Sequence, residues 1–168
     1  MNTATNLLPW YGLRIRSKHE HVVATVLRGK GYEPFLPSYT VRRRWTDRIK
    51  ENELPLFPGY VFCRMDVADR LPVLTSTGVV GIVGIGKTPE PIDEREIAAI
   101  WAVMRSGLPA MPWPFIHPGD RVQVESGPLC GVQGVVESFD DHQRLVVSVS
   151  LMQRSISVKL NPAWVTAQ

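Results

Sequence analysis

Residues 107–114 contain three prolines, and this short segment limits where regular structure can run in the chain. Proline has no amide hydrogen and a fixed φ angle, so the segment cannot continue a helix or a central strand. We therefore predict a stiff linker at residues 108–116. It separates residues 8–107 from residues 117–168, and a chain of 168 residues is long enough for two small domains.

Two helices are indicated before the linker by start signals and by apolar residues at helical spacing. Ser17 and Glu20 have the spacing of a capping box, and Gly31 supplies a stop. Asp93 and Glu96 repeat the start signal of the first helix. The residues expected to face the core are Val22, Val23, Val26 and Leu27 in the first helix and Ile97, Ile100, Trp101 and Met104 in the second, which should end at Gly107.

Strands are indicated around these helices by a period of two. In the first strand, one face carries Tyr11, Leu13 and Ile15, and the other carries cations. Further extended segments are predicted at residues 33–36, 39–45, 59–65 and 81–85. This mixture of strands and helices predicts an α/β or α+β fold for about the first hundred residues.

Beyond the prolines the chain is rich in short strands and glycine turns. Strands are predicted at residues 121–125, 131–137, 145–151 and 156–160. Such a run of short strands favours a small β-barrel. The β-period alternation in residues 145–160 predicts strands there rather than helices.

The charge of the chain is distributed unevenly. Residues 1–50 hold ten Lys and Arg against three acidic residues, a net +7, whereas the remainder has a net charge of −4. This asymmetry predicts a basic face that meets a polyanion, most often nucleic acid. A simply solvated basic face is the alternative.

Cofactor chemistry and membrane insertion are not indicated. Cys63 and Cys130 stand 67 positions apart and have no histidine at ligand spacing, so we expect neither a disulfide framework nor a zinc site. No cofactor or metal is predicted. No apolar run approaches the length of about 18 residues that spans a bilayer, and the first residues lack the pattern of a secretion signal, so we expect a cytoplasmic protein.

Residues 81–88 match the phosphate-loop pattern G-x-x-x-x-G-K-[ST]. That pattern requires a helix to begin at the Lys-Thr pair, because free amides at the helix start hold the phosphates. Pro89 biases Thr88 away from helical geometry, and Pro89 and Pro91 each remove an amide. We therefore disfavour a nucleotide triphosphatase, and no catalytic set can be argued from spacing elsewhere.

Several short motifs, specific in their order and spacing, extend over nearly the whole chain. They are Trp10-Tyr11, Phe57-Pro58-Gly59-Tyr60, Gly78-Val79 before Gly84, Pro91-Ile92 with Glu96, Gly119-Asp120-Arg121-Val122, Gly127-Pro128, Gly131 and Gly134-Val135-Val136. In these motifs the chain resembles the NusG family of bacterial transcription elongation factors. The resemblance implies an α+β N-terminal domain at 8–107, an antiparallel sheet flanked by helices, joined by the Pro-rich linker at 108–116 to a small KOW β-barrel at 117–168.

The resemblance also implies a protein partner. In the family, the N-terminal domain grips the tip of the clamp helices of the largest RNA polymerase subunit. The residues that match this surface are Trp10, Tyr11, Phe57, Pro58, Gly59 and Tyr60. Large aromatic side chains around a rigid turn suit such a contact. The alternative is that Phe57 and Phe62 are core residues, and for Phe62 we favour that alternative.

Nucleic acid is the second implied partner, since the family contacts the upstream DNA fork and the non-template strand of the transcription bubble. The residues that match this contact segment are Thr75, Ser76 and Thr77. The strand-to-helix junction that meets DNA in specialised members of the family corresponds here to Arg14, Arg16, Lys18 and His19. A further cluster of cations with an aromatic residue suits single-strand binding: Arg42, Arg43, Arg44, Trp45 and Arg48. For this cluster a solvated hairpin arm is the alternative.

The C-terminal barrel of the family recruits a further factor, either Rho or a small-subunit ribosomal protein. The matching residues are Leu151, Met152 and Arg154, although housekeeping members carry Phe-Gly-Arg where this chain has Met-Gln-Arg. Residues 42–56 look like those of specialised paralogues that act on selected operons, which favours an operon-specific antiterminator.

Taken together, the resemblance implies a monomeric, non-enzymatic factor that promotes processivity and antitermination. The alternatives are a nucleotide-binding protein that uses residues 81–88, and a KOW protein that binds the ribosome or RNA.

Overall fold

A computed structural model of the protein describes residues 7–116, 121–139 and 141–165. Gly119 and Asp120, which belong to one of the family motifs, lie outside the described residues. In chain order the elements are β1 (Trp10–Ile15), α1 (Glu20–Gly29), β2 (Glu33–Phe35), β3 (Ser38–Arg44), β4 (Ile49–Pro55), β5 (Tyr60–Arg64), α2 (Leu71–Leu74), β6 (Val79–Ile82), β7 (Gly84–Ile85), β8 (Thr88–Pro89), α3 (Glu94–Ser106), β9 (Ala110–Trp113), β10 (Val122–Gln123), β11 (Gln133–Phe139), β12 (His142–Val149) and β13 (Arg154–Leu160).

The chain forms two compact units. One unit comprises Met1–Leu36 and Gly59–Glu94, and the other comprises Pro37–Pro58 and Arg95–Gln168. None of the helices in the described ranges combines the length and the hydropathy that a membrane span requires.

The first unit is built on a four-stranded antiparallel sheet in the order β2-β5-β1-β6. Its core contains Tyr11, Leu13 and Ile15 from one face of β1, together with Val23 and Leu27 from α1. The predicted apolar face of the first strand is therefore confirmed. On the other face of β1, Trp10 is also buried, and Arg14 is the one exposed residue of the strand.

The start of α1 differs from the prediction. The helix begins at Glu20 with His19 as its N-cap residue, and no side chain caps it. Lys18 has a positive φ of 65°, so the chain turns between Ser17 and the helix, and the predicted capping box does not form. The predicted stop is confirmed: Gly31, at φ 89°, follows the helix end in a conformation that favours glycine.

Residues 81–88 do not have the geometry of a phosphate loop. Gly84–Ile85 pairs with Thr88–Pro89 as the short β7–β8 hairpin, and the turn between them contains Gly86 at φ 61°. Thr88 is thus in a strand, and the next helix begins at Glu94. The Lys-Thr pair therefore has no helix N-terminus to offer a phosphate.

Helix α3 runs over Glu94–Ser106, close to the predicted bounds. Ile97 and Ile100 are buried as predicted. The third buried position is Val103, whereas Trp101 and Met104 are half-buried. The apolar face of the helix is therefore rotated slightly from the predicted one.

The second unit contains the β3–β4 hairpin and a five-stranded antiparallel sheet in the order β10-β11-β12-β13-β9. The predicted β-rich character of the C-terminal region is confirmed. Strand β4 was not predicted, because its sequence Ile49–Pro55 is mostly charged or polar.

Part of the predicted linker is a strand. Ala110–Trp113 pairs with β13, in a register that places Pro112 opposite Ile156. β9 is at the edge of the sheet, where a proline does not interrupt a ladder. These four residues therefore belong to the C-terminal sheet rather than to a free linker, and their place at its edge agrees with the exclusion of a central strand.

Candidate functional site

The family motif at residues 57–60 is a turn that leads into β5. Gly59 has a φ of 83°, which favours glycine, and Tyr60 begins the strand. The Gly59 amide donates a hydrogen bond of 2.9 Å to Oε1 of Glu20, and its carbonyl accepts one of 2.8 Å from the Ile15 amide. Glu20 is only 6% exposed, so α1 holds the turn at Gly59 with a buried carboxylate.

The predicted clamp-binding residues divide by burial. Trp10, Tyr11 and Phe57 are between 2% and 4% exposed, whereas Pro58 is exposed and Gly59 and Tyr60 are half-buried. Phe62 is fully buried, as favoured above. Phe57 is buried as well. In this structure it is therefore a core residue, which is the alternative considered for it in the sequence analysis.

Trp10 and Tyr11 have packing roles that account for their burial. The Trp10 ring lies edge-on to Phe35, with centroids 6.1 Å apart, and the Arg64 guanidinium lies 4.8 Å from its centroid. Burial raises the pKa of the Tyr11 phenol above its ordinary value of 10.0, and the charges of Asp66 and Glu90 raise it further. Tyr11 is therefore a neutral core residue.

Strand register brings two predicted site residues together. Arg14 in β1 lies directly opposite Tyr60 in β5, so their side chains share one face of the sheet. Arg14 is exposed and Tyr60 is half-buried. This face therefore presents a cation beside an aromatic ring, next to the turn that contains Gly59.

The remaining cations of this region lie at the junction between β1 and α1. Arg16 and Lys18 are exposed, and His19 is half-buried with its Nδ1 2.9 Å from the Ser17 carbonyl oxygen. The Arg16 amide donates to the Gly78 carbonyl at 2.9 Å, which fixes the start of this turn. Arg16 and Lys18 thus extend the exposed positive charge of Arg14 along the chain.

The three hydroxyl residues predicted to meet DNA are not equivalent. Ser76 is 4% exposed, and its Oγ donates to the Pro72 carbonyl and accepts from Nζ of Lys30, each at 2.9 Å. Thr75 and Thr77 are exposed, although Oγ1 of Thr75 donates to the Leu71 carbonyl at 2.9 Å. Ser76 therefore has a structural role at the end of α2, and only its two neighbours present themselves to solvent.

The cation cluster predicted at residues 42–48 lies at the end of the β3–β4 hairpin, where all its members are exposed. A hydrogen bond of 2.8 Å from the Trp45 amide to the Arg48 carbonyl closes the tip of the hairpin. Trp45 is 56% exposed, which is unusual for so large an aromatic residue.

The predicted recruitment residues surround the turn between β12 and β13. Met152 is 4% exposed, Leu151 is half-buried and Arg154 is exposed. Nη1 of Arg154 donates to the Gln153 carbonyl at 2.9 Å. Met152 is buried here, so of the three predicted residues only Leu151 and Arg154 reach the surface of this turn.

Two contacts in these candidate regions were not predicted from the sequence. One is that of Glu20, which was assigned to a cap but holds the Gly59 amide, a contact over 39 positions that no local pattern signals. The other is that of Lys50, whose Nζ lies 5.9 Å from the centroid of the Trp45 ring. Alternation along a recognised β4 would have placed Lys50 beside Trp45.

The chain has a mixed N-terminal fold with an antiparallel sheet and helices, followed by a β-rich C-terminal region. Its exposed cations beside aromatic residues are typical of proteins that bind macromolecular partners. The family model described as transcription termination factor nusG matches residues 8–101. This match covers more than half of the chain, and the chain belongs to the NusG family.

Known proteins resemble the chain over almost its full length. The transcription termination/antitermination protein NusG of Pasteurella multocida is 31% identical over 95% of this chain and 95% of its own. The protein of the same name from Helicobacter pylori strain 26695 is 26% identical over 92% of this chain and 95% of its own. A solved structure that concerns domain interaction in Thermotoga maritima NusG matches with a TM-score of 0.56 and 26% identity, over 94% of this chain and 95% of that one.

Proposed function

We propose that this protein is a transcription elongation and antitermination factor that binds the clamp helices of the largest RNA polymerase subunit and the upstream DNA. The observation that carries the proposal is the anchored turn at Gly59, with Tyr60 and Arg14 side by side, inside the part of the chain that matches the family. Relatives of similar length are named for transcription termination and antitermination.

The clamp contact is assigned to the exposed part of the turn and the adjoining sheet face. Tyr60 offers a large ring with few rotatable bonds. The amide and the carbonyl of Gly59 are both already hydrogen-bonded, so the turn is fixed before binding. Little conformational entropy is therefore lost on binding. Trp10, Tyr11 and Phe57 are buried, so in this proposal they do not touch the partner.

The DNA contact is assigned to the cations beside that surface. Arg14, Arg16 and Lys18 are exposed and successive along the β1–α1 junction, and they attract phosphate without reading sequence. Thr75 and Thr77 add exposed hydroxyl groups. A protein held on both polymerase and upstream DNA favours the closed clamp and so disfavours pausing.

The C-terminal region is proposed to recruit a second factor, a small-subunit ribosomal protein or Rho. The turn after β12 supports this, because it presents Leu151 and Arg154 over a core filled by Met152. Attachment to the polymerase-bound region raises the effective concentration of the recruited factor. In this proposal the protein works as a cytoplasmic monomer, by binding alone, with no cofactor or metal.

The proposal is tested by the affinity of the full chain for core RNA polymerase. Tyr60→Ala removes the central ring, and loss of such an anchor costs about 2 kcal/mol or more, or some thirtyfold in affinity. Phe57→Ala is a poorer probe, because truncating a buried Phe costs about 3–5 kcal/mol of folding stability.

Tyr32→Ala is the matched control. Tyr32 is also half-buried, and it precedes β2, whose Glu33 pairs with Arg64 at the other end of β5 from Tyr60. Equal weakening by both variants, or no binding by the unmodified protein, would contradict the proposed surface.

A further inference from the structure

The β3–β4 hairpin has two faces of different charge, and its register shows which residue lies on each. In the antiparallel pairing, Arg43 is opposite Lys50, and the two pairs on either side are Arg42 with Glu51 and Arg44 with Ile49. Since side chains alternate between faces, Arg43 and Lys50 share one face and their neighbours share the other. The hydrogen bond from the Trp45 amide to the Arg48 carbonyl adds the next pair to this register, so Trp45 and Arg48 continue the face of Arg43 and Lys50.

Two side-chain contacts confirm this division. Nζ of Lys50 lies 5.9 Å from the Trp45 ring centroid, which places both residues on the same face. Nε of Arg42 lies 2.9 Å from Oε1 of Glu51, which places that ion pair on the opposite face. We define the cation face as Arg43, Trp45, Arg48 and Lys50.

The charges of the two faces differ. On the opposite face Arg42 and Arg44 are balanced by Glu51 and Glu53. The cation face carries three positive charges, and among residues 38–55 no acidic strand residue points to it; Asp47 lies in the turn. Among the described residues, none of these three cations forms an ion pair.

Such a face opposes the stability of the hairpin. Like charges directly opposite each other, as in Arg43 and Lys50, destabilise a strand pair, and a two-stranded hairpin is at best marginally stable by itself. Trp45 adds an exposed indole at the same place. A polyanion with flat rings would neutralise the cations and cover the indole. Its binding would therefore relieve both the repulsion between like charges and the exposure of the indole.

We propose that the cation face binds single-stranded nucleic acid, with Trp45 stacking on a base and Arg43, Arg48 and Lys50 on the flanking phosphates. This adds Lys50 to the residues expected from the sequence and removes Arg42 and Arg44. Cations along a groove or face with an interleaved aromatic ring are how proteins hold single strands without reading sequence. The inference goes beyond the proposed function, whose DNA contact lies at the β1–α1 junction, because it gives the β3–β4 hairpin a single-strand contact of its own.

The test measures binding of labelled dT15 and rU15 by the full chain, without polymerase, at several salt concentrations. Arg43→Gln with Lys50→Gln removes two charges from the cation face. We expect affinity to fall about twentyfold at 0.1 M salt, and the logarithmic salt slope to become shallower by about 1.4, since each phosphate contact on a single strand contributes about 0.7. Trp45→Ala should weaken binding at least fivefold with no change in slope.

Arg42→Gln with Arg44→Gln is the matched control, because it removes the same charge from the opposite face. It should change affinity less than twofold. Thermal unfolding checks the folded state: the cation-face variant should be at least as stable as the unmodified protein, because a repulsive pair is lost. Equal losses from both faces, or an unchanged affinity in Trp45→Ala, would overturn the proposal.

The choice of probe separates this inference from the proposed function. If the protein binds the oligonucleotides as described but does not bind polymerase, the proposal for the cation face stands and only the proposed clamp contact is contradicted. The dT15 and rU15 arms show whether the strand is DNA or RNA. Tighter binding of a 15-base-pair duplex than of either strand would overturn the assignment, because stacked bases are inaccessible to Trp45.

Discussion

Removal of the Glu20 carboxylate should release the turn at Gly59. Glu20 is 6% exposed and accepts the Gly59 amide at 2.9 Å, so Glu20→Ala leaves a backbone donor without its partner. A hydrogen bond to a charged group contributes about 1.5–3 kcal/mol. The Gly59 amide should therefore exchange with solvent deuterium roughly 10- to 150-fold faster in the variant, and urea unfolding should show a loss of similar free energy.

Two further variants isolate this contact. Glu20→Gln keeps an oxygen acceptor but not the charge, so it should lose about half as much, since charge-assisted bonds are about twice as strong as neutral ones. Glu33→Ala removes an exposed carboxylate whose Oε2 is 3.6 Å from Nε of Arg64, and it should cost less than about 1 kcal/mol with no effect on Gly59. An unchanged exchange rate at Gly59 in Glu20→Ala would refute the anchoring role.

Three other predictions concern the thiols, the phosphate-loop pattern and the C-terminal sheet. Burial raises the pKa of Cys63 from 9.0 to about 12. A thiol reagent at pH 8 should therefore modify the exposed Cys130 and reach Cys63 only on unfolding. The stability contributed by the protonated Cys63 thiol is present below pH 9 and is lost as the pH rises toward 12. Lys87→Ala should leave polymerase affinity within twofold, because Lys87 is exposed in the turn of the β7–β8 hairpin, and a larger loss would revive a role for residues 81–88. A fragment of residues 108–168 should unfold at a higher temperature than one of residues 115–168, since only the longer one keeps β9 and the 2.9 Å hydrogen bond from Nε1 of Trp113 to Glu137. Both fragments should give β-type circular dichroism, and a helical spectrum would contradict the fold.

Apolar periodicity identified the elements that have one buried face, although its assignment of Val22 to the core face of α1 was wrong, because that residue is exposed. The alternation of Tyr11, Leu13 and Ile15 identified the central strand, and the helical spacing of Ile97 and Ile100 identified α3. Periodicity failed at β4 because neither face of that hairpin strand is fully buried, so burial leaves no pattern in its residues. It failed at β9 because an edge strand tolerates the proline that a central strand excludes.

The candidate site was harder to predict than the fold, since residue type does not fix burial. Aromatic residues suit both a core and a binding surface, and in the structure Phe57 is buried whereas Tyr60 is half-buried. A hydroxyl residue such as Ser76 likewise suits DNA or a helix end. Cross-strand register, which pairs Arg14 with Tyr60, depends on residues far apart in the chain and is visible only in the folded molecule.

The most direct test of the clamp contact is to locate it on the polymerase. A photo-crosslinking phenylalanine analogue placed at position 60 should, in the complex with core RNA polymerase, attach to the largest subunit within the clamp helices. The same analogue at position 32 should not, because that residue lies by the far end of β5, about 13 Å away at the usual rise per residue. Attachment from position 60 to another subunit, or equal attachment from both positions, would contradict the account.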